Sequence, residues 1–407
     1  MITSRYRVAY FVSHPIQYQA PMLRYINDHS DIDIEVFFMS DFSVRGYRDE
    51  GFGGITVKWD VPLLEGYKHE FLPVWGKRGA VSSLSPFCHS VFSRLRAGRF
   101  DAVWCHGWAQ VTTLQAILAA RLLKIPVLLR ADTQRGNAFR RPATRAIKEK
   151  ALRTIFSWAS GLLAVGSRNR EYYLYYGVPE NKIYHVPYAV DNDFFQQKVA
   201  LAKPNRDTLR AELGLSADRP VILYVSKLNA QKRAHDVLEA YIRLSKNDST
   251  EPEPYLLFVG DGVGKAEIEA RASATGWSSV KFLGFKNQSE LPPLFDLCDV
   301  FVLASEREAW GLVVNEVMNA GKPVIITEGV GAAPDLVRDG VNGFVTPVGD
   351  IACLADRLRR ITSDATLRDK MGAASLEIIS EWDFRADVAG LTAALCAVTG
   401  RGETATS

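Results

Sequence analysis

Short stretches rich in apolar residues recur along the whole chain, separated by longer stretches with helical spacing. In the first half they cover residues 7–12, 34–39, 100–106, 126–130 and 161–167, and in the second half residues 221–226, 256–259, 280–283, 300–303, 324–326 and 343–345. Stretches that are apolar on both faces are typical of strands buried in a parallel sheet, with helices as the crossovers. The pattern therefore predicts an α/β protein with one parallel sheet in each half.

A polar segment separates the two halves. It covers residues 196–219, with Pro204 and Pro220 on either side of a short helical stretch. Such a change in composition marks a domain boundary. We expect an N-terminal domain over residues 1–190, a C-terminal domain over residues 205–380, and a final helix at about residues 383–400.

The region from residue 41 to residue 84 breaks the pattern. It is rich in glycine and aromatic residues, including Trp59, Tyr67 and Trp75, and it has no clear period. We interpret it as long loops and consider an insertion that binds an acceptor molecule.

Composition is that of an ordinary globular protein, with 47% apolar and 23% charged residues. The apolar stretches fall short of the ~18 residues that a membrane span needs, and the first residues lack the apolar core of a signal peptide. The five cysteines, at positions 88, 105, 298, 353 and 396, are scattered and form no Cys-x-x-Cys pair. We therefore expect a cytoplasmic protein with neither a disulfide framework nor a zinc site.

The formal net charge of +3 argues against a dedicated nucleic-acid-binding protein, but the positive charge is uneven. Between residues 135 and 153 the only acid is Glu149, and the cations are Arg135, Arg140, Arg141, Arg145, Lys148, Lys150 and Arg153. One interpretation is a solvated helix face. The other is peripheral contact with the anionic inner face of a membrane, or with a phosphorylated acceptor.

Two glutamates stand eight residues apart, Glu308 in a predicted loop and Glu316 in the helix that follows. Gly311 lets the backbone approach a ligand closely, and the N–H groups of Gly311, Leu312 and Val313 would point towards an anion at the helix start. The alternative interpretation is an ordinary amphipathic helix with two solvated glutamates.

The stretch from Glu308 to Pro323, together with residues 328–345, resembles the paired-glutamate signature of retaining glycosyltransferases of family 4. The resemblance implies the GT-B architecture, in which two Rossmann-like parallel-sheet domains face a cleft and the final helix crosses back to the first domain. It also implies that Glu316 holds the ribose of the donor and that Glu308 contacts the donor sugar.

Further donor residues follow from the same resemblance. Lys227 and Lys232 match a pair of cations that binds the donor diphosphate, and fixed positive charge suits a leaving group that becomes negative. His106, at the end of a strand, matches a histidine near the donor sugar, and Phe285 matches the segment beside the nucleobase. Without the resemblance, the lysines would be solvated surface residues and the histidine structural.

The chain departs from the family at two places on the acceptor side. His14 and Gln17 occupy a loop that is usually rich in glycine, and Asp132 stands where many members have a histidine. These side chains either bind the acceptor or cap and pack the local structure.

Two short motifs are given no functional role. Asp191-Asn-Asp193 matches a metal-binding Asp-x-Asp pattern, but such a pattern arises often by chance and here follows no nucleotide-binding strand. Gly260-Asp-Gly262 lacks the full Gly-x-Gly-x-x-Gly of a dinucleotide site, so we interpret it as a turn. We expect no metal and no cofactor.

The sequence therefore predicts a retaining, metal-independent glycosyltransferase that moves a sugar from a nucleoside-diphosphate sugar to an acceptor hydroxyl. Catalytic roles are expected for His106, Lys232 and Glu308, and the acceptor is expected in cell-surface polysaccharide or glycolipid assembly. Alternatives are transfer to a small-molecule acceptor, a GT-B epimerase or phosphorylase, and a non-catalytic protein that binds sugar nucleotides. The base and the sugar of the donor stay open at this point.

Overall fold

The computed structural model describes residues 5–76, 79, 81–135, 142–245 and 253–401, without the side chains of residues 142–144. The chain divides into two compact units. The first unit contains Met1–Tyr47, Val61–Tyr188 and Asp383–Ser407, and the second contains Arg48–Asp60 and Ala189–Trp382.

Strands and helices alternate along most of the chain. The strands are β1 (Tyr6–Val12), β2 (Ile32–Phe38), β3 (Tyr47–Asp49), β4 (Ile55–Val57), β5 (Lys68–Phe71), β6 (Val74–Trp75), β7 (Phe87–Cys88), β8 (Ala102–His106), β9 (Val127–Arg130), β10 (Gly161–Ala164), β11 (Ile183–His185), β12 (Val221–Val225), β13 (Tyr255–Val259), β14 (Val280–Phe282), β15 (Val300–Leu303), β16 (Val324–Thr327) and β17 (Gly343–Thr346). The helices are α1 (Gln19–His29), α2 (Val91–Gly98), α3 (Val111–Leu122), α4 (Pro142–Ser157), α5 (Ser167–Tyr175), α6 (Asn192–Ala202), α7 (Arg206–Glu212), α8 (Ala234–Ser245), α9 (Lys265–Ser273), α10 (Leu291–Leu297), α11 (Leu312–Met318), α12 (Ala333–Leu336), α13 (Ile351–Thr362), α14 (Ala365–Ser380) and α15 (Phe384–Thr399).

The first unit is built on a seven-stranded sheet in the order β11-β10-β9-β8-β1-β2-β5. All its strand pairs are parallel. The central strands are fully buried because helices cover both faces, as their continuous apolar sequences predict. The carboxyl ends of β1, β8 and β9 are neighbours, so the residues that follow them share one edge of the sheet.

The second unit contains a six-stranded parallel sheet in the order β14-β13-β12-β15-β16-β17. The strand order reverses direction between β12 and β15, which is the place where open α/β sheets bind ligands. The predicted α/β class with two parallel-sheet domains is confirmed.

Helix α15 packs against β10, β11 and α1 of the first unit. Its Asp387 forms an ion pair with Arg130 at the end of β9, where Nη2 lies 3.0 Å from Oδ1 and both side chains are 1% exposed. The same guanidinium donates to the carbonyl oxygens of Val186 and Pro187 at 3.1 and 2.6 Å. One buried cation thus joins the final helix to the sheet.

The region over residues 41–84 is more ordered than predicted. It contains β5, which pairs with β2 at the edge of the first sheet, and the two-stranded ribbon of β3 and β4. The sequence of β5, Lys-His-Glu-Phe, has no apolar run because it is an edge strand with exposed side chains. Residues 48–60 cluster with the second unit although the segments on either side belong to the first.

No helix among the described residues is long and apolar enough to cross a membrane.

Candidate active site

Lys232 and Glu308 are brought together, as the sequence predicts for two residues of one site. Lys232 ends a 3₁₀ turn after β12, and the side chain of Asn229 fixes this turn by accepting from the Lys232 N–H at 3.1 Å. The Lys232 ammonium pairs with the Glu308 carboxylate, and both side chains are largely buried. Burial and the nearby Lys227 lower the pKa of Lys232 to about 8. With a pKa of about 8, Lys232 is mostly a cation at neutral pH.

Glu308 is held by its backbone. Its N–H donates to the carbonyl of Gly329 at 3.0 Å, and its carbonyl accepts from the N–H of Gly331 at 3.0 Å. A Cβ on Gly329 would lie 2.2 Å from the carbonyl oxygen of Glu306, and one on Gly331 would lie 2.0 Å from that of Ala309. Only glycine allows this approach of two loops, which explains the Gly-x-Gly in residues 329–331.

Glu316 lies in α11, in different surroundings. Gly311 begins this helix with φ +98°, a conformation that suits glycine. Glu316 is half-buried, and no hydrogen bond or ion pair reaches its carboxylate from any residue that the structure describes. Desolvation raises its pKa to about 7. A ligand that brings hydrogen-bond donors would stabilise the ionised form of this carboxyl group.

Lys227 follows β12 and has a carboxylate partner that the sequence did not suggest. Its Nζ lies 3.1 Å from each carboxylate oxygen of Asp49 and 4.6 Å from the centre of the Phe52 ring. Phe52 in turn meets Phe285 edge to face, with ring centres 5.0 Å apart. Lys227 and Phe285, both predicted donor residues, are thus connected through residues 49–52. Asp49 is 178 positions from Lys227, so sequence spacing gave no signal for the pair.

The glycine turn after β13 supports Lys227. A Cβ on Gly260 would lie 2.0 Å from the carbonyl oxygen of Ser226, and one on Gly262 would lie 2.3 Å from that of Leu228. Residues 260–262 are the loop after β13, and they pack against the loop that carries Lys227, where the N–H of Leu228 donates to the carbonyl of Asp261 at 2.9 Å.

His106 ends β8 in the first unit, next to a glutamine that the sequence analysis missed. Nε2 of Gln19 lies 3.2 Å from Nδ1 of His106, and Oε1 of Gln19 accepts from the hydroxyl of Tyr10 at 2.9 Å. Burial, followed by the charges of Arg130 and His14, lowers the pKa of His106 to about 3. His106 is therefore a neutral imidazole with one N–H to donate.

The three acceptor-side candidates, His14, Gln17 and Asp132, are half-buried residues of the first unit. Nδ1 of His14 lies 2.8 Å from the Ser13 hydroxyl, and burial lowers its pKa to about 4. Desolvation raises the pKa of Asp132. These residues follow β1 and β9, whose carboxyl ends lie at one edge of the sheet, and their role stays a prediction.

Two other motifs have local partners. Asp191 caps α6 by accepting from the N–H of Phe194 at 2.9 Å, which accounts for its place in the Asp-x-Asp pattern. In the part of the chain that the structure describes, no cluster of three or more histidine, cysteine or acidic side chains has the spacing of a metal site.

The basic run is partly explained by contacts within the first unit. Arg145 pairs with Glu149 at 2.8 Å, and Arg135 lies over the ring of Tyr175 at 4.1 Å. Arg140 and Arg141 lie outside the described residues. The contacts favour a helix face with local partners, and a membrane role stays a prediction.

Comparison with known proteins gives the same assignment for both halves of the chain. Residues 205–377 match the family model described as glycosyl transferases group 1, and residues 40–189 match that of the glycosyl transferase 4-like domain.

Among curated relatives, the chain is 30% identical over 227 residues to the N-acetyl-α-D-glucosaminyl L-malate synthase of Bacillus anthracis, covering 49% of the chain and 55% of that protein. It is 27% identical over 369 residues to the D-inositol 3-phosphate glycosyltransferase of Streptomyces bingchenggensis, covering 85% and 76%. The chain thus matches only about half the length of the first of these relatives.

Solved structures share the whole fold at low sequence identity. A glycosyltransferase from Rickettsia africae superposes with a TM-score of 0.75 at 16% identity, covering 98% of this chain and all of the other. The Anabaena protein HepE in complex with UDP and glucose gives a TM-score of 0.69 at 18% identity, covering 97% and 100%.

Proposed function

The chain belongs to the family 4 glycosyltransferases of GT-B fold, and from this membership we propose that it is a retaining, metal-independent transferase. It takes a sugar from a nucleoside-diphosphate sugar and transfers it to an acceptor hydroxyl. The observation that carries the proposal is the arrangement of Lys227, Lys232, Glu308 and Glu316 around the carboxyl ends of β12 and β15.

The second unit supplies the donor site. Lys227 and Lys232 bind the diphosphate and stabilise the charge that develops on it as the bond to the sugar breaks. The N–H groups of residues 311–313 add donors at the start of α11. Glu316 accepts from the ribose hydroxyls, and Phe285 lies beside the base. The two lysines provide the positive charge that a divalent ion supplies in other enzymes, which is the reason for proposing a metal-free site.

His106 and Glu308 orient the sugar. As a neutral imidazole, His106 donates its N–H to a sugar oxygen without adding a charge. For the stereochemistry, family resemblance favours attack by the acceptor on the same face of the sugar from which the leaving group departs. The departing phosphate helps to take the proton of the acceptor hydroxyl. The anomeric configuration is then retained.

The acceptor is proposed to be a glycan or lipid-linked intermediate of cell-surface polysaccharide or glycolipid assembly. A second candidate is a small polar molecule, which is favoured by the names of two relatives, one containing L-malate and one inositol 3-phosphate. An epimerase, a phosphorylase and a non-catalytic sugar-nucleotide-binding protein stay as rivals, and product analysis with and without acceptor separates them from a transferase.

The proposal is tested by calorimetric titration of the protein with UDP, GDP, ADP and CDP in the presence of EDTA. UDP comes first because the Anabaena protein was solved with it. We expect one diphosphate to bind without metal, and binding to weaken by about tenfold or more in Glu316→Ala, as for the loss of hydrogen bonds to a charged group. Asp207→Ala, which changes an acid in α7 of the same unit, serves as the matched control.

Binding that requires a divalent ion would contradict metal independence, and the absence of binding to all four diphosphates would contradict the donor site itself. Once the base is known, NMR of the product made from the corresponding donor sugar gives the anomeric configuration. An inverted product would overturn the retaining mechanism.

A further inference from the structure

Residues 48–60, called the strap from here, cover the loops that the proposed function assigns to the donor. At the loop after β12, Asp49 pairs with Lys227. At the turn after β13, Gly53 is in van der Waals contact range of Gly262, since a Cβ on Gly53 would lie 3.4 Å from the Gly262 backbone. The strap therefore extends across two neighbouring strand ends of the second unit.

A third attachment lies after β14. Phe52 packs on Phe285, Nδ2 of Asn287 donates to the carbonyl of Lys58 at 2.8 Å, and the Ser289 hydroxyl donates to the carboxylate of Asp60. The strap thus has a firm anchor at Lys58 and Asp60, away from the lysine. Asp49 pairs with Lys227 at the other end, and Phe52 lies between the two ends, in contact with both Lys227 and Phe285.

The local structure of the strap orients Asp49. Its Oδ1 accepts from the N–H groups of Gly51 and Phe52 at 2.8 and 3.3 Å, which caps the 3₁₀ turn over residues 50–52. Gly53 and Gly54 then reverse the chain with φ of +71° and +81°. Lys227 fills the space beside this turn, since a Cβ on Gly51 would lie 2.7 Å from its Nζ.

Both cations of the proposed diphosphate site therefore face a carboxylate in this structure. Lys232 has Glu308, from the loop after the adjacent strand of the same sheet, and Lys227 has Asp49 from the strap. The oxygens of Asp49 take up part of the hydrogen-bonding capacity of this ammonium, which has three N–H groups. A diphosphate that binds Lys227 must displace or share this carboxylate.

We propose that the strap competes with the donor for Lys227. Asp49 pairs with Lys227 until the diphosphate of the donor displaces it. The end of the strap that carries Asp49 and Phe52 then leaves the lysine. The inference rests on the proposed function, because it takes Lys227 as a diphosphate ligand. The apparent affinity for the donor is lowered by the fraction of molecules in which Asp49 holds the lysine. The contact favours departure of the spent nucleotide, since Asp49 competes for the lysine again as the diphosphate leaves.

The test uses Asp49→Asn, which keeps the size of the side chain and removes its charge. We expect the Kd for the diphosphate that binds the wild type to fall by about threefold to tenfold, because a partly exposed ion pair no longer opposes binding. Inorganic pyrophosphate should show the same gain, since it meets the lysines without contacting the base site. An unchanged or increased Kd for both probes would overturn the proposal.

The matched control is Glu50→Gln, which removes the same charge from the adjacent position of the strap. Glu50 is highly exposed and pairs with Arg48, not with Lys227. The Kd of the Glu50→Gln variant for the diphosphate should therefore equal that of the wild type. An equal gain in both variants would mean that the net charge of the strap acts from a distance, and would overturn a specific role for Asp49. Thermal melts confirm that each variant is folded.

Hydrogen exchange gives a second measurement that does not depend on substitutions. Saturating the wild type with the bound diphosphate should speed exchange of the Gly51 and Phe52 amides, which Asp49 caps in the free protein. Slower exchange would mean that the strap closes over the donor, which contradicts competition.

Failure of the two proposals can be told apart. If the wild type binds no diphosphate, or Lys227→Ala binds as tightly as the wild type, the donor site itself is wrong. If Lys227→Ala weakens binding and Asp49→Asn does not strengthen it, only the role of the strap is wrong.

Discussion

Glu308 and Glu316 stand eight residues apart, and their surroundings differ. Glu308 forms an ion pair with the ammonium of Lys232. Glu316 is desolvated and has a raised pKa of about 7. Near neutral pH, Glu316 is therefore divided between its two forms. In the free protein, the carboxyl group that is proposed to accept hydrogen bonds from the ribose is therefore only partly ionised.

The raised pKa of Glu316 predicts how the affinity for the donor depends on pH. Ribose hydroxyls donate to an ionised Glu316, so donor binding below pH 7 releases a proton from this residue. The affinity for the donor therefore rises with pH, by up to about tenfold per pH unit, until the pH passes the pKa of about 7 that Glu316 has in the free protein. Above the pKa of Lys232, about 8, loss of its charge lowers the affinity again. We expect calorimetry to show the tightest binding between pH 7 and pH 8.

Glu316→Gln is the control for the acid side of this profile. It keeps the shape and cannot ionise, so only the titration of the diphosphate itself should remain, and that titration is common to both proteins. An equally steep rise from pH 6 to pH 7 in this variant would show that Glu316 is not the group that titrates.

Helix α15 shows how an element can depend on one buried charge pair. In Asp387→Ala, Arg130 stays buried with two carbonyl partners and loses the carboxylate that pairs with it. We expect a loss of about 3–5 kcal/mol in the free energy of unfolding of the first unit, as for other buried pairs that lose one partner. Urea unfolding followed by circular dichroism measures this loss.

The same helix provides the comparison for Asp387. Asp383 caps α15 by accepting from the N–H of Ala386 at 2.9 Å, and Asp383→Ala should cost only about 1 kcal/mol. A similar cost for the two variants would mean that Asp387 acts as an ordinary helix residue and that the ion pair adds little.

At the scale of the whole molecule, the sequence predicted the features that depend on continuous apolar runs and on short spacing. Five of the seven strands of the first sheet and all six strands of the second were predicted, because strands covered on both faces need apolar side chains on both faces. The helix after Gly311 was predicted because glycine and proline bound it. The two family models confirm the resemblance to family 4.

The features that were missed depend on contacts between distant or polar segments. Strand β5 has exposed polar side chains because it lies at a sheet edge, so it produced no apolar signal. The partnership of Asp49 with Lys227 requires the chain to pass to the second unit and return. Gln19 was overlooked because a buried glutamine is recognised by its two hydrogen bonds, not by its spacing.

The assignment of the donor to one unit and of His106 to the other predicts that binding and turnover respond to different substitutions. Gln19→Leu removes the amide that holds His106, so we expect turnover of the donor to fall by about tenfold to a hundredfold, as when a group at the reacting centre is misplaced. The Kd for the diphosphate should stay unchanged, because Gln19 lies in the first unit. Lys232→Ala should weaken binding as well as turnover.

A spectroscopic measurement separates this positioning role from a general loss of structure. Nitrogen NMR of the histidine side chains should show a neutral His106 in the wild type near pH 6, since its pKa is about 3. The charges of Arg130 and His14 already act on the His106 ring. Gln19→Glu adds a carboxylate beside the ring, which should raise the pKa of His106. If Gln19→Leu weakens binding of the diphosphate as well as lowering turnover, or if His106 titrates alike in Gln19→Glu and the wild type, then Gln19 does not act through His106.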